Sequence, residues 1–297
     1  MTRIQADFVL LFSAALWGVA FYFQKDAMSH VGPWTFIASR AGLAVLVLAP
    51  LAYFETRRAA ARPAPAGLSR LAVQCGAAFL AAAFLQQEGL RTASVTNTGF
   101  LTSLYVVFTP IVTWILSSTY PPRLVWPAIG MSFVGTWLLG GGTIGGLGTG
   151  ELLVMVGALF WATHCVLTGK ASHFERPLTY TVIQFTVVTV CATVAALVLE
   201  RPTLDALHGA AVPILFVGLV STALTYTLFT IAIRHTTPPE AAVILSAESL
   251  FAAAAGALML GERLSPISWF GAGLMIAAVL LVQLGPWISR AASRAAA

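Results

Sequence analysis

Charged residues are what this sequence most lacks. Only 9% of its 297 residues are charged and 58% are apolar, whereas about 25% of the residues in a soluble domain are charged. So little charge leaves a water-exposed surface uncovered, which argues against a soluble globular fold. The chain is therefore predicted to be a multi-pass membrane protein. No signal peptide is expected, because Met1–Asp7 runs into the first apolar stretch without a small-residue cleavage site.

The residue patterns of metal and catalytic sites are missing as well. The three cysteines form no CxxC pair and lie in apolar stretches, where a thiol is a small buried hydrophobe. No DxxD, HExxH or GxSxG string occurs. The sequence therefore predicts no metal site, no cofactor and no catalytic residue, which disfavours a membrane-embedded enzyme. A channel is also disfavoured, since neither a ring of repeated charge nor a carbonyl filter motif is visible.

Long apolar stretches are what the sequence has in abundance. Ten of them are long enough to cross about 30 Å of hydrocarbon as helices. They are residues 6–24, 33–53, 69–87, 97–117, 123–141, 151–170, 178–199, 210–232, 239–260 and 266–288. Prolines and glycines separate these spans, and every connection is short. The predicted fold class is all-α, with ten transmembrane helices.

Basic residues are distributed unevenly between the two sides of the spans. With the N-terminus inside, eleven of the sixteen Lys and Arg residues fall on the cytoplasmic side and four on the other. This bias predicts that both termini are cytoplasmic. It also accounts for the net charge of +5 without a nucleic-acid partner.

The second half of the chain repeats the first. An offset of 144 residues aligns ALWGVAFYFQK (15–25) with LFWATHCVLTG (159–169), and an offset of 143 aligns residues 90–108 with 233–251. Each half has five predicted spans, and because five is odd, the second half enters the membrane from the opposite side. The chain is predicted to be two inverted five-helix repeats, residues 1–144 and 145–297. Carriers of this design bind substrate near the midplane, between the repeats.

The sequence resembles the EamA-type carriers of the drug/metabolite transporter superfamily over nearly its whole length. The resemblance lies in the paired repeats, the tryptophan in the first span of each half, Arg40 in the second span and the ending LGERLSPISWFGAGLMIAAVLLV (260–282). The family's Gly-Glu pair is present as Gly261-Glu262, but the first half has residues 116–119 (LSST) in the corresponding place. Within the group the sequence is similar to bacterial aromatic amino acid exporters. This resemblance implies a monomeric secondary carrier in the bacterial cytoplasmic membrane.

Trp17 and Trp161 lie near the centre of the first span of each half, although tryptophan in membrane helices is usually found at the headgroup level. Small neighbours such as Gly18 and Ala162 let helices approach closely. We expect the first and sixth spans to meet at mid-depth, where the two indoles form an aromatic wall for a planar or apolar ligand. The alternative is core packing, with each indole N–H bonded to a neighbouring helix.

Arg40 and Glu248 are the deepest charges in the predicted spans. Burying such a group costs about 3 kcal/mol on insertion scales, and intramembrane charges indicate function by default. The offsets pair Arg40 with Gln184 and Glu248 with Tyr105, so that Arg40 and Tyr105 form an outer polar layer and Gln184 and Glu248 an inner one. We expect these layers to flank the cavity and to serve its gates or the two ends of the ligand. The alternative is that each charge is satisfied within its own bundle, which the family resemblance favours for Arg40.

Further candidates for substrate binding lie close to these residues. His164 is on nearly the same face of its span as Trp161, where it is a candidate for sensing pH or donating to a carboxylate; the alternative is a satisfied core histidine. Tyr105, Tyr226 and Ser246 are supplementary candidates.

These observations predict a carrier that works by alternating access on a small-molecule substrate. The abundance of aromatic residues, 18 Phe, 8 Trp and 6 Tyr, favours a mostly apolar, neutral or zwitterionic ligand, and the family resemblance implies export of aromatic amino acids. An alternative on the same fold is export of aromatic cations or drugs, attracted by cation–π contact with Trp17 and Trp161 and by the charge of Glu248. Membrane lipid is the other partner expected.

Overall fold

The computed structural model of the chain describes residues 1–59, 65–123, 125–139, 141–142, 148–261 and 263–295, with side chains as far as Leu284. These residues fold into a bundle of helices. In chain order the helices are α1 Arg3–Ala27, α2 Pro33–Arg58, α3 Leu68–Leu90, α4 Val95–Thr102, α5 Tyr105–Ser117, α6 Val125–Leu139, α7 Thr149–Ser172, α8 Pro177–Leu199, α9 Leu204–Gly209, α10 Ala211–Leu215, a π-helix Phe216–Leu224, α11 Thr225–Ala232, a 3₁₀ turn Ile233–His235, α12 Pro238–Leu245, α13 Glu248–Leu260 and α14 Pro266–Ala295.

Nine helical stretches among the described residues are long and apolar enough to cross a membrane, and they correspond to nine of the ten predicted spans. The tenth, expected over residues 123–141, is α6 with 15 residues, about 22 Å long. Pro121 and Pro122 precede this helix, and Gly141 follows it with a φ of 98°, a conformation that glycine adopts freely after a helix. The all-helical membrane fold in two halves is confirmed. The predicted boundary between residues 144 and 145 lies outside the described residues.

The second helix of each half demonstrates that the halves are inverted. Where α2 ends, Glu55 accepts hydrogen bonds from the backbone N–H groups of Leu178 (3.1 Å) and Thr179 (2.8 Å) at the start of α8. Where α8 ends, Glu200 accepts hydrogen bonds of 2.9 and 2.8 Å from two backbone N–H groups at the start of α2. The two helices therefore run antiparallel, and each supplies a carboxylate to the positive N-terminal end of the other.

The fourth span of each half is broken at corresponding positions. The breaks fall at Ser103, between α4 and α5, and at Ser246, between α12 and α13, which an offset of 143 residues relates. At each break the backbone tightens to bonds between residues three apart, with Val106 N to Ser103 O at 3.0 Å and Ser249 N to Ser246 O at 3.1 Å. The two breaks touch, since Ser103 Oγ donates to the carbonyl of Ser246 at 3.3 Å. A new helix thus begins near mid-depth in each half.

The third spans of the two halves differ from each other. In the first half this span is α3, an α-helix of 23 residues without interruption. In the second half a π-helix of nine residues, Phe216–Leu224, separates α10 from α11. Because π-helical turns are frequently found at functional sites, the side chains that contact the π-helix are of interest.

The small residues of the first span do not pack as expected. We expected Gly18 in α1 and Ala162 in α7 to bring their two helices together. Instead Gly18 lies against α13, where a Cβ on Gly18 would be only 2.8 Å from the backbone nitrogen of Ala252. The close approach therefore joins the first span to the ninth, and it leaves room between the two halves at mid-depth.

Candidate functional site

A cavity with about 50 Å³ of free space lies between the two halves and takes its walls from both. Most of the predicted site residues line it. These are Trp17, Arg40, Tyr105, Trp161, His164, Tyr226 and Glu248.

The two predicted tryptophans lie on either side of Tyr226, a residue of the second half. The ring centroid of Tyr226 is 4.7 Å from that of Trp17 and 6.5 Å from that of Trp161, to which it is nearly parallel with an interplanar angle of 23°. His164 meets Trp161 and Tyr226 edge to face, with centroids 5.8 and 5.6 Å away. The predicted pair of indoles is thus a larger aromatic wall, with Tyr226 at its centre.

The two indole N–H groups have different surroundings. Trp17 Nε1 donates a hydrogen bond of 3.0 Å to the carbonyl of Ser221 in the π-helix. Trp161 Nε1 is buried and has no hydrogen-bond partner among the residues that the structure describes. The alternative stated for both indoles, an N–H bonded to a neighbouring helix, is therefore seen for Trp17, which joins the two halves. The N–H of Trp161 remains available to a ligand.

Arg40 and Glu248 are both deeply buried, with 3% and 4% of their surfaces exposed. Arg40 lies 5.6 and 5.4 Å from the ring centroids of Phe36 and Phe79. The ion pairs found among the described residues include neither charge, and Arg40 Nε, Arg40 Nη2 and Glu248 Oε1 have no hydrogen-bond partner there. A buried charged group without a partner is costly, so Arg40 is suited to bind an anionic group of a ligand, and Glu248 is suited to bind a cationic group or to take up a proton.

Gln184 and Ser246 are predicted site residues that do not line the cavity. Gln184 supports a residue that does, since its Oε1 lies 3.3 Å from His164 Nε2. Ser246 is engaged at the break of the ninth span, where its Oγ lies 2.6 Å from Ser132 Oγ and donates to Val243 O at 2.7 Å. These contacts fix the position of neighbouring groups and leave neither side chain facing the cavity.

Several cavity residues are absent from the sequence-based set. They are Phe21, Gln24, Thr102, Cys165, Ser221, Phe229 and Leu245. Phe21 and Gln24 could have been predicted from their spacing. They follow Trp17 by four and seven residues and so share one face of α1 with it. The carbonyl of Ser221 had no signal, since its exposure depends on the π-helix.

Charged side chains join the helix ends at both faces of the bundle. Where α1 ends, Lys25 Nζ donates to the carbonyls of Leu90 at 2.7 Å and Ala93 at 3.0 Å. Where α1 begins, Arg3 pairs with Glu240 of the second half at 3.0 Å. Movement of one half relative to the other has to break or rearrange the Arg3–Glu240 pair.

Nine apolar spans in the described part of the chain, two inverted halves and a cavity between them define the class of protein as a multi-pass membrane transporter. The chain belongs to the EamA-like transporter family, whose model matches residues 4–141 and 148–284. Membership of this family also identifies the chain as a transporter and not an enzyme. Glu262, part of the Gly-Glu pair of the resemblance, lies outside the described residues.

Two relatives and one solved structure are also similar to this chain. The chain is 28% identical to an uncharacterized transporter of Archaeoglobus fulgidus over 284 residues, which is 95% of this chain and 87% of the relative. It is 25% identical to the uncharacterized transporter YwfM of Bacillus subtilis over 292 residues, 96% of this chain and 95% of the relative. A solved crystal structure matches with a TM-score of 0.71 and 15% identity over 95% of this chain and 98% of the other, which supports the fold alone.

Proposed function

We propose that this transporter is a secondary carrier that exports aromatic or other apolar amino acids and related metabolites. The observation that carries the proposal is the cavity between the halves, whose wall combines Trp17, Tyr226 and Trp161 with one buried unpaired cation. Aromatic rings stack favourably on such a wall, and a guanidinium is a bidentate partner for a carboxylate. The site therefore suits an amphipathic molecule with a ring at one end and an acid group at the other.

Alternating access supplies the transport mechanism in this proposal. The two halves rock about the cavity, and the ion pair between Arg3 and Glu240 forms and breaks at one face. The breaks at Ser103 and Ser246, which touch at mid-depth, are the points at which the fourth and ninth spans bend. The carrier works as a monomer of two repeats, 1–144 and 145–297, in the bacterial cytoplasmic membrane with both termini inside.

Flux of tryptophan into liposomes tests the proposal. Purified protein is reconstituted, and uptake of labelled tryptophan is measured with and without a pH gradient and with an excess of unlabelled phenylalanine, tyrosine or leucine. Saturable uptake that the aromatic amino acids compete away is the expected result. No flux of any aromatic amino acid contradicts the proposal, and flux that does not respond to the gradient excludes proton coupling through Glu248.

Export of aromatic cations is a second candidate, and Glu248 is the observation that favours it. Its carboxyl lines the cavity and Oε1 has no partner among the described residues, so a cationic ligand held by cation–π contact finds a counter-charge there. Glu248→Ala distinguishes the two candidates. It abolishes cation flux if cations are the substrate, whereas tryptophan flux falls far less if amino acids are.

A further inference from the structure

The cavity has a polar end and an apolar end. The polar end lies toward the face where α1 ends, and its residues are Gln24, Arg40, Gln86 and Thr102. The apolar end lies toward the face where α1 begins, and its residues are Cys165, Phe229 and Leu245. The repeat emphasises the contrast, because the offset of 143 residues relates Gln86 to Phe229 and Thr102 to Leu245. Positions that began as copies now differ in polarity at the two ends of one cavity.

The helical rise places the polar end in a single layer. Gln24 is three residues from the end of α1, and Arg40 is seven residues from the start of α2. At about 1.5 Å per residue these side chains start about 5 and 10 Å from the same face. Gln86 and Thr102 belong to this layer too, since Gln86 Nε2 donates to Thr102 Oγ1 at 2.8 Å. A ligand at this end of the cavity therefore meets several polar groups at similar depth.

The unpartnered groups of the polar end are complementary in kind. Gln24 is 5% exposed and its Oε1, an acceptor, has no partner in the described part of the chain. Arg40 Nε and Nη2, both donors, are unpartnered in the same part. Leaving buried donors and acceptors unpaired is costly, so the two groups are suited to a ligand that supplies both an anion and a hydrogen-bond donor. An α-amino acid carries a carboxylate and an ammonium group on one carbon.

We infer that the substrate binds in one orientation, with its carboxylate on Arg40, its ammonium group on Gln24 Oε1 and its side chain directed toward the apolar end. This inference rests on the proposed function and specifies the head-group contacts of the same site. The shared face of α1 supports the geometry, because Trp17, Phe21 and Gln24 follow one another along the cavity from mid-depth to the polar end. Glu248 stays near mid-depth, at the start of α13, and does not hold the ammonium group.

Three indole ligands separate the contributions of the two head groups. L-Tryptophan has both charges, indole-3-propionate lacks the ammonium group, and tryptamine lacks the carboxylate. Equilibrium binding to purified protein is measured for each by titration calorimetry. The wild type is expected to bind tryptophan about tenfold or more tighter than either analogue, as the loss of a charge-assisted hydrogen bond predicts.

Two substitutions then assign each head group to its residue. Arg40→Gln is expected to lower the ratio of tryptophan to tryptamine affinity about tenfold, and Gln24→Leu to lower the ratio of tryptophan to indole-3-propionate affinity several-fold. Thr168→Val is the matched control, because Thr168 is the repeat counterpart of Gln24 and does not line the cavity; it leaves both ratios unchanged. If Arg40→Gln does not fold, Arg40→Lys, which keeps the charge but loses the bidentate geometry, is expected to lower the first ratio by a smaller factor.

The outcomes distinguish this inference from the proposed function. If the wild type binds none of the three ligands, the proposed function itself is contradicted. If it binds tryptophan but does not discriminate against the two analogues, the carrier function stands and the head-group assignment is wrong. If Glu248→Gln, and not Gln24→Leu, removes the preference for tryptophan over indole-3-propionate, the ammonium group is held at mid-depth and the assignment to Gln24 is wrong.

Discussion

The two halves of this transporter keep the same backbone plan and use it differently. Glu55 and Glu200 cap each other's helices, and Ser103 and Ser246 mark matching breaks. Trp17 and Trp161 occupy matching positions as well, yet the N–H of Trp17 is bonded to Ser221 and that of Trp161 has no partner among the described residues. The difference follows from the third spans, because the π-helix presents a carbonyl to Trp17 while the first half offers the uninterrupted helix α3. The two halves have kept the same backbone plan, whereas the side chains that face the cavity differ between them.

The largest expected effect on stability comes from substitution of Gly18, where the first span lies very close to the ninth. A Cβ on Gly18 would lie 2.5 Å from the backbone oxygen of Glu248 and 2.8 Å from the nitrogen of Ala252, and backbone atoms do not yield easily. Gly18→Ala is expected to lower the free energy of unfolding by about 3 kcal/mol, whereas Ala162→Gly at the matching position costs about 1 kcal/mol. Thermal unfolding in detergent measures both. Equal losses would show that the two first spans pack alike.

The two tryptophans provide the next comparison. Trp17→Phe removes the 3.0 Å hydrogen bond to the carbonyl of Ser221, which is expected to cost about 1–1.5 kcal/mol. Trp161→Phe removes an N–H that already lacks a partner, so its effect on unfolding is expected to be less than half as large and its effect on substrate affinity greater. Unfolding and tryptophan binding are measured on both variants. A larger stability loss for Trp161→Phe would contradict the assignment of structural and ligand roles.

Glu55 and Glu200, which cap each other's helices, provide a test of a feature that the two halves share. Glu55→Gln and Glu200→Gln are each expected to destabilise the protein by about 1 kcal/mol, because each removes a carboxylate from a helix N-terminus. Glu55 has an additional contact, since Thr179 Oγ1 donates to its Oε2 at 2.6 Å, so its loss is expected to be slightly larger. Glu88→Gln, in a half-exposed pair with Arg91, is the control and changes stability by less than about 1 kcal/mol. Markedly unequal losses of stability in Glu55→Gln and Glu200→Gln would mean that the second helices of the two halves are not equivalent.

The smallest expected effect concerns the residue that follows the broken span in each half. Gly261 after α13 and Ser118 after α5 both have positive φ, 70° and 51°, and an offset of 143 residues relates them. Glycine tolerates this conformation and serine is strained in it. Ser118→Gly is expected to raise the unfolding free energy by about 0.5–1 kcal/mol, and Gly261→Ser to lower it by a similar amount. A Ser118→Gly variant that is less stable than the wild type would contradict this reading of the turn.

Sequence patterns were enough to predict nine of the ten spans as long helices, the duplicated halves and seven of the residues that line the cavity. Hydropathy sets span length, and the offset of the repeat brings Trp17, Trp161, Tyr105 and Glu248 to related positions. The reciprocal caps could not be predicted from the sequence, because Glu55 and its partners at the start of α8 are more than 120 residues apart. The π-helix was also missed, because it carries no proline signal, and with it the different roles of the two indoles. Gln24 was overlooked because a neutral amide gives a weaker signal than a buried charge.

The central claim is that the substrate passes through the cavity between the halves. It is tested most directly by filling that cavity and measuring saturable tryptophan flux in liposomes. Thr102→Trp places an indole inside the cavity, whereas Thr186→Trp places one at an exposed position of α8; both proteins are first checked for the wild-type elution profile and helix content. Loss of flux in Thr102→Trp with flux retained in Thr186→Trp is the predicted result. Undiminished flux through the correctly folded Thr102→Trp protein would contradict the claim.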